Sequence, residues 1–225
     1  MPQTLVQRRD AFAARHPESK LQVNGRDWGG IRVGDAGPAL VLIPGTLGRA
    51  DIYFQQMADL QGKARILALS YPDRGSIADW SDDIADMIAA QGLQGAVVSG
   101  SSLGGYLAQF LAARHGDLLG GLVAANTLAS VVGIDRALPY SLDLLAVPIG
   151  DLRKGFTDGL ATWTSADHPY RELAELLLAE VAGRIPEGEL RARLNALKTA
   201  PVLGRPSLPP EAISIVESGD DHLIR

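Results

Sequence analysis

The sequence predicts an α/β protein built on a central, mostly parallel sheet with helices on both faces. Three observations carry that prediction. Short, nearly wholly apolar runs such as ALVLI (39–43) and ARILAL (64–69) have the length and composition of strands buried on both faces. They alternate with stretches whose apolar residues recur at helical spacing, as in 76–91, where Ile77, Trp80, Ile84, Met87 and Ile88 share one side. A third apolar run, AVV (96–98), leads directly into Gly100-Ser101-Ser102-Leu103-Gly104 and then into another amphipathic stretch. Strand, tight turn and helix in that order are the context in which Gly-x-Ser-x-Gly carries meaning.

Taken in order, the elements are as follows. Residues 1–20 lack the apolar core of a signal peptide and read as a short surface helix. Residues 21–24 and 28–33 read as an antiparallel pair joined around Gly25, and Asp35-Ala36-Gly37-Pro38 is a turn. Strand 39–43, helix 50–60, strand 64–69, helix 76–91, strand 95–98, helix 103–114 and strand 121–125 follow, with Leu103, Leu107, Phe110 and Leu111 as one face of helix 103–114.

The rhythm changes after Asn126. Residues 127–205 show no strand pattern. A helix begins near Pro169, with Asp167 as its cap and Leu173, Leu176, Leu177 and Val181 on its buried side. A second helix spans 187–197, with Leu190, Leu194 and Leu197 on one face. Pro201, Pro206, Pro209 and Pro210 mark a stiff return segment, and strand character resumes at 212–216. The expected organisation is a core from 1–126 and 206–225, with 127–205 as a helical cap over the C-terminal ends of the strands.

Composition narrows the function. Hydrophobic residues make up 46% of the 225 positions, enough for one substantial core. The net charge is −5, with acidic and basic residues interspersed, which argues against nucleic acid as a partner. The absence of cysteine excludes disulfides, thiolate catalysis and cysteine-ligated metals. No His/Asp/Glu cluster has metal-ligand spacing, and no Gly-x-Gly-x-x-Gly follows the first strand, so no cofactor is expected. No stretch reaches the roughly 18 apolar residues of a membrane span, and a cytoplasmic protein is the expectation.

Serine-dependent acyl transfer needs a nucleophile, a base, an acid to orient the base, and donors for the oxyanion. Ser102 is the candidate nucleophile, with Gly100 and Gly104 where crossing chain leaves no room for a side chain. One oxyanion donor would be the Leu103 N–H, just after the serine. The other would be the N–H of Thr46 or Leu47, in the Pro44-Gly45-Thr46-Leu47-Gly48 loop after strand 39–43. Both loops leave the C-terminal ends of strands, where open α/β sheets bind ligands.

The motifs VLIPG, LSYPDRGS, VVSGSSLGGYLAQ and ISIVESGDDHLI, in that order, resemble the α/β-hydrolase fold family over nearly the whole chain. YFQQ (53–56), LSYP (69–72), GSSLGGYLAQ (100–109) and Asn126-Thr127 are similar to its maspardin-like branch. The resemblance implies a serine hydrolase acting on a small-molecule acyl substrate, with Asp221 as the acid and Asp220 its less favoured neighbour. Hydrolases with a carboxylate nucleophile are disfavoured, because Ser102 occupies that place.

Two positions depart from the family pattern. Pro44-Gly45 stands where the family often has His-Gly. The family's histidine base lies well downstream of the acid, whereas this sequence ends at Arg225, four residues past Asp221. The expectation is therefore a chain truncated before the catalytic histidine, the last strand and the final helix. None of the four histidines replaces it convincingly. His222 adjoins Asp221 and points away from it, and His115 sits at the far end of the elbow helix, where the dipole favours a cation. His16 is in the N-terminal segment, and His168, in the insertion, is a candidate substrate contact. The alternative implied by the maspardin-like branch is a non-catalytic binding protein with a protein partner.

Overall fold

The parallel centre of the fold is flanked at one edge by an antiparallel hairpin, in a computed structural model that describes residues 3–219. The strands are β1 (Ser19–Val23), β2 (Arg26–Val33), β3 (Ala39–Ile43), β4 (Arg65–Ser70), β5 (Ala96–Ser101), β6 (Leu119–Ala125) and β7 (Ile213–Val216), in the order β1-β2-β4-β3-β5-β6-β7. Pairing is antiparallel for β1–β2 and β2–β4 and parallel from β4 to β7. Asn24 and Gly25 turn the hairpin at φ 48° and 74°, the left-handed pair that a two-residue turn needs. From β3 the chain crosses outward to β4, and from β5 it crosses the other way to β6. The C-terminal ends of β3 and β5 therefore form the switch point of the sheet, with a crevice between diverging connections.

Both faces of the sheet are covered. Helices α3 (Ile77–Ala90) and α4 (Leu103–Arg114) bury Trp80, Ile84, Ile88, Leu107 and Leu111 against one face. On the other, α1 (Leu5–Arg15) and α2 (Phe54–Leu60) bury Phe12, Phe54 and Met57 against Ile31, Leu42 and Ala68. Trp28, Tyr71 and Trp80 form an aromatic cluster with ring centroids 4.8–6.2 Å apart. The α3 start is a full capping box between Ser76 and Asp79.

Three helices lie between β6 and β7: α5 (Ile149–Ala161), α6 (Arg171–Ala179) and α7 (Glu187–Lys198). Leu152 of α5 and Leu190 and Leu194 of α7 form a cluster with Leu144 and Ile185, which packs on Leu47. α7 also sends Ala192, Ala196 and Leu197 into the main core. Among the described residues no helix is long and apolar enough to cross a membrane.

Several local expectations need correction. The N-terminal helix lies on the surface as expected, and it also turns Arg9 and Phe12 inward. Residues 50–53 form a 3-10 turn before α2 begins, and β6 starts at Leu119 rather than 121. The cap position of α6 is Tyr170, whose side chain makes no capping bond, so Asp167 does not serve there. Leu176 and Val181 are buried and Leu177 is half-buried, but Leu173 is exposed, because the inner face of α6 centres on Ala174 and Leu176. Helix α5 escapes the sequence pattern because it contains Gly150, Gly155 and Gly159, each costing about 1 kcal/mol in helix propensity.

Candidate functional site

Ser102 sits between the end of β5 and the start of α4, with φ 51° and ψ −121°. That conformation is strained for a residue with a Cβ and costs on the order of 1–3 kcal/mol. Its neighbours allow no alternative. A Cβ on Gly100 would stand 2.1 Å from the Gly104 carbonyl oxygen, and one on Gly104 would stand 2.2 Å from the Ile43 carbonyl oxygen. A Cβ on Gly105 would lie 2.5 Å from the Thr127 side chain, a third glycine requirement that the five-residue motif does not include. The Ser102 N–H is bound to the Asn126 carbonyl at 3.0 Å, and the Thr127 hydroxyl donates to the Ser102 carbonyl at 2.6 Å. The Ser102 hydroxyl makes no hydrogen bond to any described residue. Leu103, the first residue of α4, has no helical partner for its N–H.

Residues 45–48 close as a β-turn, with the Gly48 N–H donating to the Gly45 carbonyl at 3.1 Å. A Cβ on Gly45 would lie 3.3 Å from Ser102 Cβ, so this turn is pressed against the serine. The amides of its central residues, Thr46 and Leu47, donate to no described residue. Three N–H groups, from Thr46 and Leu47 in that turn and from Leu103 beside the serine, thus have no acceptor among the described residues. That arrangement can stabilise an anion forming on an atom bonded to the serine oxygen.

The turn is braced from outside. Tyr53 donates its hydroxyl to the Ile43 carbonyl and Tyr71 to the Pro44 carbonyl, each at 2.7 Å. Burial pushes Tyr53 up to about 12, offset in part by Ser101, and pushes Tyr71 well above its ordinary value. Arg193 of α7 donates to the Thr46 and Gly48 carbonyls at 3.0 and 2.8 Å. Tyr140, raised to about 12 by burial, lies beside the Thr46 side chain. None of these braces was visible as a motif.

The remaining candidates fall elsewhere. Asp221, Asp220 and His222 lie outside the described residues, as does the acid position that the resemblance implies. The segment leading to them is anchored, because the Asn126 N–H donates to the Val216 carbonyl and the Asn126 side chain exchanges two bonds with Ser218. His115 pairs with Asp82 at 2.7 Å at the far end of α4. His16 packs on Phe12. His168 stacks on Trp163 with centroids 6.0 Å apart and accepts from the Tyr170 N–H. No histidine among the described residues hydrogen-bonds Ser102.

Comparison with known proteins agrees with this architecture. Over 104 residues the chain is 33% identical to maspardin of Rattus norvegicus, a match covering 44% of this chain and 40% of that protein. The match to maspardin of Mus musculus covers 34% of that protein, so the chain spans well under half the length of these curated relatives. A hydrolase from Pseudomonas aeruginosa PA01 superposes with a TM-score of 0.72 at 18% identity, covering 90% of each chain. The enol-lactonase from Burkholderia xenovorans LB400 superposes at 0.68 and 19% identity, covering 89% of this chain and 91% of its own. The model of the alpha/beta hydrolase family matches residues 40–225, and the chain belongs to that family.

Proposed function

We propose that the chain is a serine hydrolase acting on a small carboxylic ester or related acyl substrate through an acyl-enzyme on Ser102. The observation that carries this reading is the strained Ser102 backbone with the Gly45 turn pressed against it and unpaired amides around it. Ser102 Oγ would attack the acyl carbon while its proton passes to a base. The oxyanion would accept bonds from Leu103 N–H and from Thr46 or Leu47 N–H. Collapse would expel the alcohol, which takes the proton from the base, and water would then release the acid by the same steps reversed. Asp221 is the orienting acid in this reading, and the base comes from outside residues 3–219.

The helical segment 127–205 would roof the site. Its cluster on Leu47 supports that placement, and an apolar acyl group suits its leucines. We assign His168, stacked on Trp163, to substrate contact within this roof.

A fluorophosphonate reagent tests the nucleophile. It is expected to label the wild-type chain and to leave Ser102→Ala unlabelled, with p-nitrophenyl ester hydrolysis following the same pattern. Labelling that survives Ser102→Ala overturns the assignment. A folded wild-type chain with neither labelling nor turnover would favour the second reading, a binding protein, which the maspardin match brings in.

A further inference from the structure

Arg193 is a guanidinium with no solvent exposure, carried by α7 into the wall behind the turn 45–48. Burying such a charge is expensive unless neighbours replace its water. Here Nη1 is shared by the Thr46 and Gly48 carbonyls, and Nη2 donates to Glu189 at 2.7 Å. The guanidinium carbon stands 5.0 Å above the Tyr71 ring. Burial lowers its pKa to about 10, with Glu189 opposing, so it stays charged at neutral pH. Nε has no partner. A residue placed only to satisfy itself would not leave a donor empty while spending two bonds on one short turn.

The bonded carbonyls matter because a peptide is planar and its C=O and N–H point in opposite directions. The Thr46 carbonyl shares its peptide with the Leu47 N–H. Holding that carbonyl outward aims the Leu47 N–H the other way. The Gly45 carbonyl shares its peptide with the Thr46 N–H and is held by the Gly48 N–H, and the far side of Gly48 is again fixed by Arg193. A charge-assisted bond to a carbonyl also polarises the peptide and strengthens its N–H as a donor.

Arg193 is itself fixed. Glu189 also receives Arg49 Nη1 at 2.8 Å, Arg49 Nη2 reaches Glu18 at 2.6 Å, and Glu18 accepts from the Ser70 hydroxyl at 2.6 Å. Ser70 in turn accepts from the Ala50 N–H at 2.8 Å. The chain of bonds therefore begins at Thr46 and Gly48 and returns to the main chain at Ala50, two residues beyond the turn.

We propose that Arg193 is the positioning residue of the oxyanion-binding turn, holding the Thr46 and Leu47 amides toward Ser102 so that docking of α7 sets the rate of the acyl-transfer step. This rests on the serine-hydrolase reading above. The test compares Arg193→Met, Arg193→Gln and Arg193→Lys with wild type in the full chain, by p-nitrophenyl acetate hydrolysis, fluorophosphonate labelling rate, and amide hydrogen exchange at residues 45–48. Arg193→Met and Arg193→Gln are expected to lower kcat and the labelling rate about 10²-fold, the scale of a lost oxyanion donor, with KM changed less than threefold. Exchange at 46 and 47 is expected to rise at least tenfold, and Arg193→Lys to recover part of both. If Met does not fold, Gln carries the comparison. Wild-type kcat in the folded Met or Gln variant, unchanged exchange at 45–48, or a Lys variant no better than Met overturns the proposal. A wild type that neither labels nor turns over instead overturns the hydrolase reading, while the exchange arm still reports whether Arg193 holds the turn.

Discussion

The elbow at residues 100–105 and the turn at 45–48 touch each other and are held by opposite means. The elbow is held by exclusion. Gly100, Gly104 and Gly105 each lie where a Cβ would strike another atom at 2.5 Å or less, so the chain has one path past Ser102. The turn is held by attachment. The Pro44 carbonyl that leads into it is bound by Tyr71, and its Thr46 and Gly48 carbonyls by Arg193, 147 positions from Thr46 in sequence. Exclusion comes from chain at the ends of the neighbouring strands β3 and β6, whereas attachment also requires that the distant helix α7 has docked. The elbow is thus shaped by the strand–helix crossing, and the turn is held in part by α7, one of the helices between β6 and β7.

The largest expected effect tests exclusion. Gly104→Ala would place its Cβ 2.2 Å from the Ile43 carbonyl and 2.5 Å from that of Pro44, both main-chain atoms. Neither can swing aside, so we expect a loss of about 3 kcal/mol or more, or no soluble protein. Urea unfolding of the variant beside wild type measures it. A loss under 1 kcal/mol would mean that the elbow has more freedom than its geometry allows.

The same contrast explains what the sequence discloses. The glycines and the serine of the elbow lie within a few positions of one another, so AVVSGSSLGG announces both the turn and its serine, although the atoms that crowd Gly104 and Gly105 belong to Ile43, Pro44 and Thr127. The sheet centre is equally legible, since buried parallel strands are apolar throughout. The position of the turn 45–48 can be read from the end of strand ALVLI, but its bracing cannot. Nothing near Arg193 in sequence points to the Thr46 and Gly48 carbonyls, which α7 reaches only in the folded chain. Arg9, in the polar helix LVQRRDAFAAR, is buried only because Glu180 of the turn after α6 meets it there, and Glu180 in turn binds Arg184. Such pairings depend on which helices meet, and no periodicity encodes them.

A smaller effect tests the strain at Ser102. Ser102→Ala keeps a Cβ at φ 51°, whereas Ser102→Gly removes it. Relief of about 1–3 kcal/mol of strain is offset by up to about 1 kcal/mol of extra unfolded-state entropy. Ser102→Gly is therefore expected to be about 1 kcal/mol more stable than Ser102→Ala by chemical denaturation. Equal stability would show that the crossing chain, and not the serine backbone, absorbs the strain.

The smallest effect sharpens the comparison where the two regions join. Tyr53 donates to the Ile43 carbonyl, against which Gly104 packs, and lies beside Ser101. Tyr53→Phe removes one hydrogen bond while keeping the ring, which at neutral pH is worth about 1 kcal/mol. Its distinguishing mark is alkaline. Burial raises Tyr53 from 10.0 to about 12, so between those values the unfolded chain releases a proton that the native one keeps. The native state then binds more protons, and stability falls as pH rises, by about 1.4 kcal/mol per pH unit for this one group. That contribution is whole below pH 10 and is lost as pH climbs toward 12. Tyr53→Phe has no such proton, so its deficit against wild type should shrink through this window, with Tyr71 and Tyr140 giving both proteins the remaining slope. Unfolding curves at pH 8, 10 and 11 measure the difference. A deficit constant across all three would mean that the Tyr53 hydroxyl is hydrated in solution and that the elbow and the turn are joined by packing alone.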